Sequence, residues 1–395
     1  MIELSMYIID VKRTAIGRFL GALSETNAID IALPLFNFFI KKYPFLINET
    51  DEIILGNVLS TGLGQNIARK ISYESGISKL TPAFTINHVC GSGLTSIIQG
   101  FKSIKLNESD IVICGGVESM SNAVHYLPSY RKGNKLGNGD VIDSLTHDGL
   151  YCSLSNMTMA ETADILAKKY GVSREEQDQY AYYSHQKALT AQKNKFFDNE
   201  IVPIQVHGKT GLTEFIIDEQ PRSDTSIEKL AKLKPLNRSE GTITAGNASG
   251  INDGAALCLL ASERLVNKYQ LKPMAKIIEY DYIGTDPELM GLGAYYSIKR
   301  LLIKAKMNIN KIDLFEINEA FAAQVIANVK VLNIDRAKLN VNGGAIALGH
   351  PTGISGARIV VTLYNILKRT DKEIGIASIC GGGGVTMAMV IKRES

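Results

Sequence analysis

The chain alternates short apolar runs with amphipathic stretches, and this alternation predicts stacked layers of strands and helices. A strand is predicted over 6–10, a helix over about 27–41, a strand over 52–56 and another near 84–87. Beyond Cys90, the residues Leu94, Ile97, Ile98 and Phe101 recur at i, i+3, i+4 and i+7, which is the single buried face of a helix. Ile111-Val112-Ile113-Cys114-Gly115-Gly116 follows as a buried strand running into glycines.

The second half repeats this plan. Glu52-Ile53-Ile54-Leu55-Gly56-Asn57 resembles Asp313-Leu314-Phe315-Glu316-Ile317-Asn318, an offset of 261 residues (318 minus 57). Ile113-Cys114-Gly115-Gly116 resembles Ile379-Cys380-Gly381-Gly382, an offset of 266 (380 minus 114). The helix after Cys90 matches one after Gly353. Three matches in one order point to a duplicated α/β domain. The stretch 119–244 breaks the pattern. It is polar and loop-rich, with helices expected over 157–170 and 174–193, the second opened by a capping box of Ser173 and Glu176. The division expected is therefore an N-terminal half over 1–118 and 245–268, an inserted loop domain over 119–244, and a C-terminal half over 269–395.

Composition narrows the function. With 43 basic and 40 acidic residues, a net charge of +3 argues for neither nucleic acid nor a membrane surface as partner. No apolar run approaches the roughly 18 residues of a membrane span, and the start has no signal-peptide order, so a cytoplasmic protein is expected. The five cysteines form no CxxC pair. Free thiols are expected, with no disulfide framework and no metal site.

Three motifs carry candidate chemistry. Cys90 stands in Asn87-His88-Val89-Cys90-Gly91-Ser92-Gly93, at the mouth of a helix. There the helix end is expected to lower the thiol pKa by about one unit at most. A strong nucleophile then needs a base. His350, in Gly349-His350-Pro351, is presented on a rigid turn and is the candidate base. Cys380 precedes four glycines, whose amides can approach a ligand and form an oxyanion hole. Cys114, Cys152 and Cys258 read as structural. Asn318 could orient a water or cap the next helix. The Gly-rich stretch 242–256 suits contact with an extended amide-bearing ligand. A basic run of Lys229, Lys232, Lys234 and Arg238, with Arg222 upstream, suits a phosphate-bearing one.

These motifs, together with Arg13-Thr14-Ala15-Ile16-Gly17-Arg18-Phe19 and Asn318-Glu319-Ala320-Phe321, resemble those of the thiolases from end to end, most closely the acetyl-CoA acetyltransferases. The resemblance implies a five-layered αβαβα fold of two duplicated halves with an inserted loop domain. It implies that two acetyl-CoA condense reversibly to acetoacetyl-CoA and CoA through an acyl group on Cys90. His350 would activate Cys90 and, with a water held by Asn318, stabilise the thioester oxygen of the second substrate. Cys380 would move that molecule's α-proton, and the amides of Cys90 and Gly382 would form the oxyanion hole. Ala248, Ser249 and Gly250 would line a pantetheine channel, Arg222 would approach the nucleotide phosphates, and Met290, Met157 and Phe321 would line the substrate site. The substrates are CoA thioesters and no separate cofactor is implied. A homodimer or homotetramer is, with the loop over 121–140 pairing dimers.

Two positions depart from the short-chain pattern: Ser155 where a His is usual, and Ala294 where a Pro is usual. Both are expected near the acyl pocket, where chain length is set. A degradative 3-ketoacyl-CoA thiolase is the alternative within the family. A non-catalytic acyl-CoA or lipid-binding relative is disfavoured by the intact Cys90, His350 and Cys380. A ketoacyl synthase would carry a second histidine in place of Cys380.

Overall fold

The structure, a computed structural model, describes residues 5–208, 211–237 and 240–394. Arg238, the last of the basic run, lies outside them. The β-branched and apolar runs become the strands of one large sheet: β1 (Met6–Arg13), β2 (Glu52–Gly56), β3 (Ala83–Ile86), β4 (Ile111–Ser119), β5 (Asn252–Ser262), β6 (Ala275–Gly284), β7 (Leu314–Ile317), β8 (Ile374–Gly381) and β9 (Val385–Arg393). Their order across the sheet is β7-β8-β9-β6-β1-β5-β4-β2-β3, and Gly17–Arg18 pairs on β5 as a short tenth strand. Strands β2, β3 and β4 run parallel, as do β7 and β8; the remaining ladders are antiparallel. The two halves join through a ladder of only two pairs, Tyr7 with Lys276 and Ile8 with Ala275.

Among the described residues, the helices longer than ten residues are α1 (Ala28–Lys42), α2 (Ser92–Lys105), α3 (Met159–Lys169), α4 (Arg174–Lys193), α5 (Gly293–Lys304), α6 (Ala322–Leu332) and α7 (Ser355–Arg369). Period-2 alternation assigns each strand face to a layer. On β5, Ala256, Cys258 and Leu260 pack with α2 and α7, whereas Ala255, Leu257, Leu259 and Ala261 pack with α1. On β9, Met387, Met389 and Ile391 face α2 and α7, whereas Ala388 and Val390 face α5 and α6. The layers are therefore α1, the N-terminal strands, the α2–α7 pair, the C-terminal strands, and α5 with α6. This is the five-layered αβαβα architecture expected.

The ladder registers correct one sequence match. Gly56 lies opposite Gly116 on the parallel β2–β4 pair, and Ile317 lies opposite Ser378 on the β7–β8 pair. The halves thus correspond at an offset of 261 (317 minus 56) and 262 (378 minus 116). Cys380 is the counterpart of Glu118, not of Cys114. The Cys-Gly-Gly similarity was a coincidence of two glycine-bearing strands, four residues out of register.

Between β4 and β5 the chain leaves the large sheet, and its short strands there pair only in two-stranded ribbons. Helices α3 and α4 both open with capping boxes, Thr158 with Glu161 and the expected Ser173 with Glu176. This excursion is clamped onto β1 by Arg13, whose buried guanidinium meets Glu200 at 2.7 Å and Asp218 at 2.7 Å. Their carboxylates hold the guanidinium proton more tightly than in water, against the cost of burial.

The central helices touch through backbone. A Cβ added at Gly356 would lie 2.4 Å from the Leu94 amide nitrogen, and one added at Gly93 would lie 2.8 Å from that of Ala357. Gly356→Ala should therefore destabilise the protein by about 1–3 kcal/mol, the usual cost of overpacking. The urea midpoint checks this: a midpoint equal to wild type would mean the helices can separate without loss.

Candidate active site

Cys90 stands at the N-terminal end of α2, after a turn in which Val89 is left-handed (φ 50°). A β-branched residue is strained there. Short-range hydrogen bonds hold the turn: Asn87 Oδ1 accepts from the Val89 amide (2.9 Å), Ser92 Oγ accepts from the His88 amide (2.8 Å), and the Ser92 hydroxyl donates to the Val89 carbonyl (2.7 Å). The sulfur sits where the amides of Gly382 and of Cys90 itself reach it. These donors favour the thiolate, but burial outweighs them and pushes the thiol up to about 11. The small lowering expected from the helix end is overturned by desolvation.

His350 precedes α7. Its amide donates to Asn252 Oδ1 (2.9 Å), which fixes the turn against β5. Ser355 Oγ donates its one proton to the Pro351 carbonyl (2.8 Å) and lies 2.6 Å from His350 Nδ1. In that arrangement the hydroxyl can only accept at Nδ1, and the tautomer that matches it carries the ring proton there. Nε2 is left as a bare lone pair, buried and without a partner among the described residues. Burial, helped by the positive charge of Arg358, lowers the imidazole to about 3.

Cys380 ends β8 and is pushed up to about 12, first by burial and then by the nearby Cys90. Of the four glycines that follow, Gly383 and Gly384 are left-handed (φ 75° and 79°). A Cβ on Gly384 would lie 2.2 Å from the Thr285 carbonyl, so packing as well as ligand approach demands glycine there. Asn318 is buried just past β7. It does not cap α6, which begins at Ala322 with Phe321 as its cap residue. Its Oδ1 accepts from Arg358 (3.4 Å), and its Nδ2 has no partner among the described residues.

Cys90, His350, Cys380 and Gly382 line one cavity of about 290 Å³, together with Ala248, Ser249, Gly250, Met290 and Phe321. The segment 248–250 reaches this wall because the Ser249 amide donates to the Ala320 carbonyl (2.9 Å). Asn318 lies behind the lining, and Met157 is not part of it. Met159 is instead, with its sulfur packed over Gly382. Its place as the first residue of a capped helix, directly after Thr158, rather than in the preceding strand, could have singled out Met159. Arg222 is exposed in a separate shallow cleft with Arg18, Glu219 and Asp224, and Lys229 is paired with Asp224. Ser155 and Ala294 both lie off the cavity lining, and Ala294 belongs to the outer core beside Ile298 and Leu301.

Sequence reasoning missed Ser355, Asn252 and Glu118. The signal for Glu118 was a lone carboxylate near the end of an otherwise apolar run. Glu319 organises the neighbouring loop, accepting from Tyr180 (2.8 Å), Ser184 (2.7 Å), Asn340 (2.9 Å) and the Ile346 amide (3.2 Å). Cys114 and Cys258 face each other across the β4–β5 ladder, and all five cysteines are free and buried. Among the described residues no cluster of His, Cys, Asp or Glu could hold a metal ion, and no helix is long and apolar enough to cross a membrane.

Two family models match the chain, the thiolase N-terminal domain over 6–264 and the thiolase C-terminal domain over 271–393. A probable acetyl-CoA acyltransferase of Staphylococcus aureus is 44% identical over 96% of this chain and 97% of its own. The crystal structure of the Bacillus anthracis acetyl-CoA acetyltransferase superposes with a TM-score of 0.97 at 40% identity, covering 99% of each chain. That of the human mitochondrial 3-ketoacyl-CoA thiolase gives 0.96 at 40% identity, covering 100% of each. With both models matched in sequence order and relatives aligned over nearly the whole length, the chain belongs to the thiolase family of acyltransferases.

Proposed function

We propose that this thiolase condenses two acetyl-CoA to acetoacetyl-CoA and CoA, reversibly, through an acetyl group carried on Cys90. One observation carries the reading. A neutral imidazole held at Nδ1 by Ser355, two buried thiols and the Gly382 amide meet in one cavity.

In the first step Cys90 Sγ attacks the thioester carbonyl while its proton passes to His350 Nε2. The carbonyl oxygen, now negative, takes the amides of Cys90 and Gly382, each worth roughly 2.7–4 kcal/mol in such a hole. The C–S bond to CoA breaks, and the proton leaves with CoA as its thiol. In the second step Cys380 passes its proton to His350 Nε2 and, as thiolate, takes the α-proton of a second acetyl-CoA. The enolate attacks the acetyl-Cys90 carbonyl, the C–S bond to Cys90 breaks as acetoacetyl-CoA forms, and Cys90 recovers the proton from His350. The Nε2 proton that His350 has then gained, and a water held by Asn318 Nδ2, donate to the enolate oxygen. In thiolysis Cys380 returns the proton, a role that suits a thiol held neutral by burial. A resting pair of thiol and neutral imidazole means that the nucleophile is made only as substrate binds.

Crowding supports a short acyl group. Met159 lies against Gly382 beside the reacting thiols, and Met290 is packed in the same apolar cluster. The likeness to a 3-ketoacyl-CoA thiolase favours longer chains as the second reading. Ser249 and its neighbours are assigned to the pantetheine arm and Arg222 to the nucleotide phosphates. The chemistry needs no cofactor beyond CoA thioesters, and we assign the protein to the cytoplasm as a homo-oligomer.

Thiolytic cleavage with free CoA tests the substrate. Acetoacetyl-CoA should be cleaved much faster than a 3-ketoacyl-CoA of about eight carbons; the opposite order would replace this reading with the degradative one. Cys90→Ala should form no acyl-enzyme. Cys380→Ser should still be acylated yet lose at least about 100-fold in condensation, within the range of general acid–base catalysis. Equal loss of both steps would contradict the division of roles. Ser355→Ala frees the imidazole tautomer and should slow acylation roughly 10-fold or more, with substrate binding intact. An unchanged rate would mean the tautomer needs no lock.

A further inference from the structure

Glu118 is a buried carboxylate that the catalytic scheme leaves unused. It stands near the end of β4, at the register position that Cys380 occupies in the other half. Its Oε1 accepts from Asn57 Nδ2 (3.0 Å) and the Leu59 amide (3.1 Å). Its Oε2 accepts from the Val58 amide (3.0 Å), the Thr352 hydroxyl (3.0 Å) and the Gly353 amide (2.8 Å). One carboxylate thus bridges the loop after β2 and the turn that follows His350. The same turn is seated in backbone: a Cβ on Gly116 would lie 2.3 Å from the Gly353 carbonyl, and one on Gly56 would lie 2.6 Å from it.

We propose that Glu118 is a positioning residue for His350, its ionised carboxylate fixing the 351–353 turn and so the imidazole against Cys90. This rests on the reading of His350 as the base for Cys90. The donor set explains why the residue is Glu. All five partners are neutral donors, so an acceptor-only group satisfies them, whereas Gln or a protonated acid would point hydrogens at hydrogens. The titratable group that feels the charge is Cys90, whose thiol it helps to raise. Burial, opposed by these hydrogen bonds, lifts the carboxyl to about 7. A raised carboxylate is protonated as pH falls through that value, so the seat of His350 should loosen on the acid side.

The test is single-turnover acylation of Cys90 by acetyl-CoA from about pH 5 to about pH 9, with steady-state KM alongside. Wild type should lose rate below about pH 7. Glu118→Gln should be slower by between about 10- and 100-fold on the alkaline side, lack that acid limb so that wild type falls towards it near about pH 5, and keep its KM for acyl-CoA. A wild-type rate and limb in Glu118→Gln would overturn the proposal. Should that variant fail to fold, Thr352→Val removes one donor and decides instead: slower acylation with an unchanged unfolding midpoint supports the proposal, and a wild-type rate overturns it. Full acylation in His350→Asn would remove the base reading itself, a failure distinct from any result at Glu118.

Discussion

The active site depends on two helices meeting backbone to backbone. Helices α2 and α7 touch at Gly93 and Gly356, between two half-sheets that pack on them from either side. Because the contact lies in the first turn of each helix, it brings both N-termini to one place. Cys90 precedes the first helix and His350 the second. Two helix N-termini supply partial positive charge and unpaired amides where an oxyanion must form. No side chain larger than hydrogen at either glycine would allow that approach.

Burial, more than any partner charge, sets the chemical state of the site. It raises Cys90 and Cys380 and lowers His350, so the resting cluster carries no ion pair. Such a site gains little from a helix dipole acting on a preformed thiolate. It gains from donors already aimed at the charge that develops during reaction, which a dry cavity makes stronger. The unpartnered Nε2 of His350 and Nδ2 of Asn318 fit this economy, since each is held ready for an atom that arrives with substrate.

Duplication gave the two halves equivalent strand ends, which then took different work. Asn57 and Glu118 stand where Asn318 and Cys380 stand in the other half. In the first pair Asn57 donates to the Val117 carbonyl and to Glu118, and Glu118 accepts on both oxygens and holds the histidine turn. The second keeps a thiol at the cavity and, off its lining, an amide with no partner among the described residues. A single scaffold position thus supports structure in one copy and carries chemistry in the other.

The strands, helices and nucleophile motifs were legible in the sequence because they rest on local rules: period 2 on β5 and β9, period 3.6 on α2, and the capping box at Ser173. The Cys90, His350 and Cys380 motifs were legible because clusters of glycine mark places where backbone must crowd. Ladder register was not, because it is fixed by which strands pair across hundreds of residues; hence the misplaced match of Cys114 with Cys380. Nor was the direction of the Cys90 shift, since desolvation depends on every layer stacked around the sulfur. Met159 instead of Met157, and Ala294 in the outer core rather than the pocket, were decided by where a helix begins and which face it buries. The sequence by itself determined which groups could react. Only the packing of five layers decided which of them meet, in what protonation state, and that Glu118 holds one of them in place, because contacts between distant segments have no signature in either segment alone.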